Sequence, residues 1–196
     1  MKKFNRSFWL MLCASLLLVL VFFFPIWKIV LNAPQYPNGI GFYIWIDHMS
    51  GITPNALENI NLLNHYVGME KIIPESFAEL NYFPFVIAGL IFLGLIVSWI
   101  NKPKAILVWI IIIVVLGGLG IYDFYQWEYV YGHNLNPMAP ISIPGMSYQP
   151  PLIGTKKLLN FTAISLPSIG SFIFAISTIL SVLAWYFSKK AHKIVK

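Results

Sequence analysis

The sequence predicts an all-α membrane protein: four transmembrane helices carrying a small extracytoplasmic platform formed by two long loops. Three observations point there. The chain is too apolar for water, with 58% hydrophobic and 10% charged residues and a mean hydropathy of +0.73. Four apolar runs are long enough to span a bilayer. Its charges are sorted along the chain. Lys2, Lys3 and Arg6 precede the first run, Lys102 and Lys104 sit between the second and third, and Lys189, Lys190, Lys193 and Lys196 follow the last. The acids Asp47, Glu58, Glu70, Glu75, Glu79, Asp123 and Glu128 all fall in the other connecting segments. By the positive-inside rule both termini and the short turn at residues 101–104 are cytoplasmic. The net charge of +6 is thus a topology signal and does not imply a nucleic-acid partner. One cysteine excludes a disulfide framework, and Leu12 before Cys13 is a poor lipoprotein processing site.

The elements follow in order within a single integral membrane domain. The first span covers about residues 7–31 and is read as a retained anchor, kinked at Pro25, with Lys28 at the outer headgroups or paired to an acid. The outer segment 32–82 opens on the turn-rich NAPQYPNG. In IGFYIWIDHM, Ile40, Phe42, Ile44 and Ile46 alternate with Gly41, Tyr43, Trp45 and Asp47, which favours an extended form over an interfacial aromatic segment. Thr53 and Pro54 read as the cap and first residue of a helix that stops at Gly68. Pro74-Glu75 opens another helix, leading into the second span at 83–100. The third span, 105–122, follows Pro103 and extends past the membrane to Gly132. Pro137, Pro140, Pro144, Pro150 and Pro151 forbid regular structure over residues 136–151, within the second outer segment, 123–167. Residues 155–161 read as a short interfacial helix. The fourth span is 168–187.

No ionisable residue lies at mid-depth in a span, which argues against a proton pump, an ion channel or a charged-solute transporter. There is no nucleophile elbow, HExxH, CxxC, CxxCH or phosphate loop, so the chain is read as non-enzymatic. What stands out is the placing of soft donors. His48, His65 and His133, with Met49, Met69, Met138 and Met146, lie in the two outer segments, and the last three spans have no methionine. Imidazole and thioether groups collected on one oxidising face are a ligand set for copper, Cu(I) in particular. His65, Met69, His133 and Met138 are the candidate ligands. His65 and Met69 share a helical face unless Gly68 ends the helix first. The plainer alternative is hydrogen-bonded histidines and gap-filling methionines. Asp123 and Glu128 are candidates to orient a histidine from behind, or else pair with Lys28, Lys71 or Lys157 or face water. Trp127 and Tyr131, among the aromatics after the third span, are a candidate partner interface, the alternative being a membrane-surface belt.

The segments NAPQYPNGIG, LLNHYVGM and YGHNLNPMAPI, with the later QPPLIG, resemble small multi-span membrane proteins that accompany nitrous oxide reductase maturation genes in some bacteria. Those genes also include a copper-chaperone lipoprotein and an ABC transporter. The resemblance covers both outer segments. It implies copper as the metal, an accessory role in copper handling or assembly of a periplasmic copper enzyme such as nitrous oxide reductase, and a copper chaperone or that enzyme as partner. The rival reading, from a different class, is a scaffold subunit that contacts other membrane subunits and binds no metal. A membrane-embedded enzyme or quinol-linked redox protein is a third, more distant one.

Overall fold

The chain opens, in a computed structural model that describes residues 5–194, with helix α1 (Arg6–Leu17). Lys2, Lys3 and Lys196 of the charge pattern lie outside the described residues. Asn5 caps α1, its side-chain oxygen accepting from the Phe8 N–H at 3.0 Å. The helix tightens into a 3-10 stretch over Leu18–Phe22 and stops. Pro25 accounts for the stop: it offers no N–H, and its ring pushes Phe24 towards extended backbone. The first span therefore does not reach residue 31, because Trp27–Ala33 is strand β1.

Strand β2 (Tyr36–Ile44) returns antiparallel to β1, with Trp27 opposite Ile44 and Leu31 opposite Ile40. A short β3 (Met49–Gly51) adds to its edge. Helix α2 (Ala56–Val67) begins after a left-handed Asn55, so the cap expected at Thr53 and Pro54 falls two residues further on. Gly68, at φ 83, ends it as anticipated. Pro74–Ser76 forms only a 3-10 turn, after which α3 runs over Ala78–Ile100. Asn101 turns the chain at φ 49, and Pro103 opens α4 (Pro103–His133).

The helix expected over 155–161 is instead half of a hairpin, β4 (Gly154–Leu158) and β5 (Phe161–Pro167), with Leu158 opposite Phe161. Finally α5 covers Ile169–Ile194. The sheet order is β3-β2-β1-β5-β4, every neighbour antiparallel. The all-α expectation is thus corrected to a helical bundle bearing a five-stranded sheet. Central strand β1 misled because its Ile29, Val30 and Leu31 continue the apolar run that begins in α1, past Pro25.

Three helices, α3, α4 and α5, are long and apolar enough to cross a membrane. Helix α1 packs against α3 and α5, and α4 closes the group against the same two. Small and hydroxyl residues let α1 approach closely. Ser7 Oγ donates to Ala184 O at 2.8 Å, Ser177 Oγ to Ala14 O at 2.7 Å and Ser98 Oγ to Phe8 O at 3.1 Å. A side chain on Gly94 would collide with Ser15 Oγ. At the far end Asn101 Nδ2 donates to Asn5 Oδ1 at 2.8 Å and Ser188 Oγ to Asn101 O at 3.2 Å. This pins the basic termini and the α3–α4 turn together at one end. The sheet and all the acids lie at the other.

The 31 residues of α4 extend about 46 Å, against a hydrocarbon core of roughly 30 Å. Its last three turns therefore project beyond the apolar layer and lie on the sheet. Cross-strand partners share a face, so Trp27, Ile29 and Leu31 align with Ile44, Phe42 and Ile40 on one side and with Pro167, Ser165 and Ala163 on the other. The end of α4 covers that face together with α2, burying Ile29, Phe42, Ile60 and Ile72 against Phe124, Trp127 and Tyr131. We call this assembly the sheet cap.

Candidate functional site

Two features of the cap bear on function, an exposed patch and a cavity beneath it. The patch arises where α2 ends. Asn61 clamps the returning chain by donating to Ile72 O at 3.0 Å and accepting from its N–H at 2.7 Å, and Asn64 Nδ2 donates to Glu70 O at 3.2 Å. The proline-rich segment then lies across this corner: Asn136 N–H donates to Gly68 O at 2.8 Å and Ile141 N–H to Tyr66 O at 2.9 Å. Asn134 Nδ2 reaches Glu70 Oε1 at 3.3 Å. Gly68 is needed for its positive φ and because a side chain there would press on Asn136 and Ala139.

These bonds join the two segments that carry the four candidate ligands. His65 and His133 are exposed, Met69 is half-buried, and Met138 is 88% exposed. His133 stacks on Tyr129 at 4.1 Å, and its Nδ1 donates to the Tyr129 carbonyl at 2.9 Å. That tautomer leaves Nε2 as the free ligating nitrogen. No group of three His, Cys, Asp or Glu side chains able to hold a metal occurs among the described residues.

The supporting residues fall elsewhere. Asp123 is exposed, with Glu79 as its nearby like charge. Glu128 is completely buried, and neither carboxyl oxygen has a hydrogen-bond partner among the described residues. It therefore neither orients a histidine nor pairs with Lys28, Lys71 or Lys157. Lys28 lies over the Tyr43 ring at 5.7 Å, and Lys71 meets this corner through its carbonyl, which accepts from Tyr131 Oη at 2.9 Å. Trp127 and Tyr131 pack inside the cap, 4.9 Å apart, with Phe77 beside both. The outward side of this part of α4 belongs to Tyr125, Tyr129 and Val130.

Beneath the patch lies a cavity of about 300 Å³ between the sheet, α2, the end of α4 and the proline-rich segment. Its walls are chiefly aliphatic and aromatic, with Glu128 set among them. Tyr148 closes one side. The Gly132 carbonyl accepts its N–H at 2.9 Å, and Gly132 must be glycine because a side chain would overlap the Gln149 backbone. Tyr148 is 2% exposed, and its hydroxyl has no partner; neither has the Trp127 indole N–H. Three residues bordering one largely apolar cavity thus carry buried polar atoms without a well-formed hydrogen bond, although the Ser165 hydroxyl lies near enough to Glu128, and the Trp127 indole to Tyr131, to act on their acidity. Burial pushes the Glu128 carboxyl up to about 8, the Ser165 hydroxyl pulling the other way, so it is a neutral acid at pH 7. Burial also raises the Tyr131 phenol, with Glu70 adding to it and Trp127 opposing. At the rim Leu159 holds φ 54, a strained position for a branched residue.

Sequence reasoning singled out Glu128 but not its burial, and it passed over Tyr148. One available signal was Gly132, a glycine late in a helix of bulky residues, which marks the close approach of another backbone. Compared with protein-family models and with curated proteins, the chain matches none.

Proposed function

We propose that the protein is a non-enzymatic accessory protein of a bacterial inner membrane, whose cap faces the periplasm and hands on copper during assembly of a copper enzyme such as nitrous oxide reductase. Helix α1 with its 3-10 extension forms the fourth span in this reading. Its 12 and 5 residues give about 28 Å, close to the thickness of the hydrocarbon core. Both termini are then cytoplasmic, as the basic residues at that end favour. Copper is cargo here, held in turn by His65, Met69, His133 and Met138 and passed to or from a copper chaperone or the enzyme itself. The observation that carries the reading is Met138. A thioether 88% exposed on a segment bonded to the end of α2 fills no gap, which removes the usual reason for a methionine.

A second reading, a scaffold subunit without metal, draws on the His133–Tyr129 stack and on exposed Tyr125, Tyr129 and Val130, a face suited to another membrane subunit. Competition between purified protein and a colorimetric Cu(I) chelator separates the two. The copper reading expects His65→Ala, His133→Ala and Met138→Ala each to weaken retention by roughly 10- to 100-fold, the scale seen when even an outer partner of a metal site is lost. Equal retention by all three variants would leave the scaffold.

A further inference from the structure

We propose that the cavity under the proline-rich segment is a binding site for a neutral, largely apolar molecule bearing carbonyl or ester oxygens. The volume, about 300 Å³, lies at the lower end of small-molecule sites, and mostly apolar walls with a few convergent polar groups are their usual composition. The unpartnered groups define the chemistry. The Trp127 indole only donates, and Tyr148 Oη donates one hydrogen. Glu128, held as the neutral acid, adds a third donor. Three buried donors carried by residues of the wall favour a ligand whose acceptor oxygens can press in against them.

Other ligand classes fit less well. No Lys, Arg or His lines the cavity, so an anion would find no countercharge. An ammonium ion would satisfy Glu128 but leave the indole N–H bare. Ordered water could bridge Gln35, Asn64 or Asn160 elsewhere on the wall, but most of the lining, Ile29, Phe42, Ile60 and Leu158 among it, is apolar and better matched by an apolar body. Two sources at a membrane surface share the required chemistry, a quinone ring and the ester region of an acylglycerol. This inference does not depend on copper.

The test is calorimetric titration of the detergent-solubilised full chain with two probes, a water-soluble short-tailed benzoquinone and a short-chain monoacylglycerol. Wild type is expected to bind one of them saturably, which identifies the source. Tyr148→Phe and Trp127→Phe should each weaken binding roughly five- to tenfold, the worth of one hydrogen bond. Leu63→Trp, filling the cavity, should abolish it, with a thermal unfolding curve checking that the variant folds. The phenylalanine variants serve if it does not. No saturable binding of either probe, binding unchanged in both phenylalanine variants, or tighter binding of a hexylammonium probe than of either carbonyl compound would each overturn the assignment.

Discussion

The bundle and the cap treat buried polar groups in opposite ways. Inside the bundle Ser7, Ser15, Ser98, Ser177, Ser181 and Ser188 are buried, and each hydroxyl donates to a backbone carbonyl. The Trp109 indole does the same, to Leu90 O at 3.0 Å. In the cap Ser165 and Asn64 are equally well served, Ser165 Oγ accepting from Trp27 Nε1 at 2.8 Å and donating to Leu152 O at 3.1 Å. Among the described residues the pattern fails around the cavity, at Trp127, Glu128 and Tyr148, and at Asn101 Oδ1 in the α3–α4 turn. Each unpaired group costs about 1–3 kcal/mol. A chain that finds an acceptor for each buried hydroxyl of its bundle is not loosely folded, so the exceptions mark a place kept ready for something else.

The contrast can be broken most severely at Gly132. A side chain there overlaps the Gln149 backbone, so Gly132→Val should lift the proline-rich segment off α4 and open the cavity. The expected loss is about 3 kcal/mol, the upper end of overpacking costs. Gly89, whose added β-carbon would meet nothing within 4 Å, provides the control in the bundle. Gly89→Ala should leave the thermal midpoint in detergent unchanged or slightly higher. Equal destabilisation by both changes would mean that helix propensity, not closure of the cavity, governs the Gly132 effect.

The next effect is a pH dependence from Glu128. Its carboxyl rises from 4.5 to about 8 on folding, so the folded state holds a proton that the unfolded chain releases. Stability from this group is complete below pH 4.5 and declines as pH climbs to 8, by an amount on the order of a few kcal/mol. The other titratable groups on the wall are the phenols Tyr66, Tyr131 and Tyr148. Denaturation midpoints measured from pH 5 to pH 8 should therefore fall for wild type and stay level for Glu128→Gln. Parallel slopes would place the responsible group outside the cavity.

The bundle was far more legible in sequence than the cap, for reasons visible at single residues. Long apolar runs and the Pro103 turn located α3, α4 and α5 because a span needs only length and composition. Gly68 marked the end of α2, and alternation from Ile40 to Ile46 pointed to an extended chain whose alternate residues are all buried. Strand β1 escaped because Ile29, Val30 and Leu31 extend the first apolar run, and the β4–β5 hairpin because residues 155–161, with Lys156 and Lys157, also fit a short interfacial helix. The β4–β5 hairpin turn also lacked its usual signal, with Leu159 at positive φ where glycine or asparagine is expected. The cavity was hidden for a different reason. Glu128, Tyr148 and Ser165 are brought together by sheet register and by a loop that returns onto Gly132, and neither leaves a local pattern.

The smallest effect gives the clearest comparison, because its sign differs between the two regions. Ser177→Ala in the bundle removes a made hydrogen bond to Ala14 O and should cost about 1 kcal/mol. Tyr148→Phe removes a hydroxyl that has no bond to lose, while keeping the ring that stacks on Phe161 at 6.4 Å. Without ligand it should unfold at a higher midpoint than wild type, by about 1 kcal/mol. Adding the carbonyl-bearing probe should reverse the order, since only wild type gains the bond that the phenol was positioned to make. Two variants, each scanned with and without probe, are enough. If Tyr148→Phe were instead destabilised as much as Ser177→Ala in ligand-free protein, the phenol would already be bonded, and the cavity would hold water where an acceptor ligand is proposed.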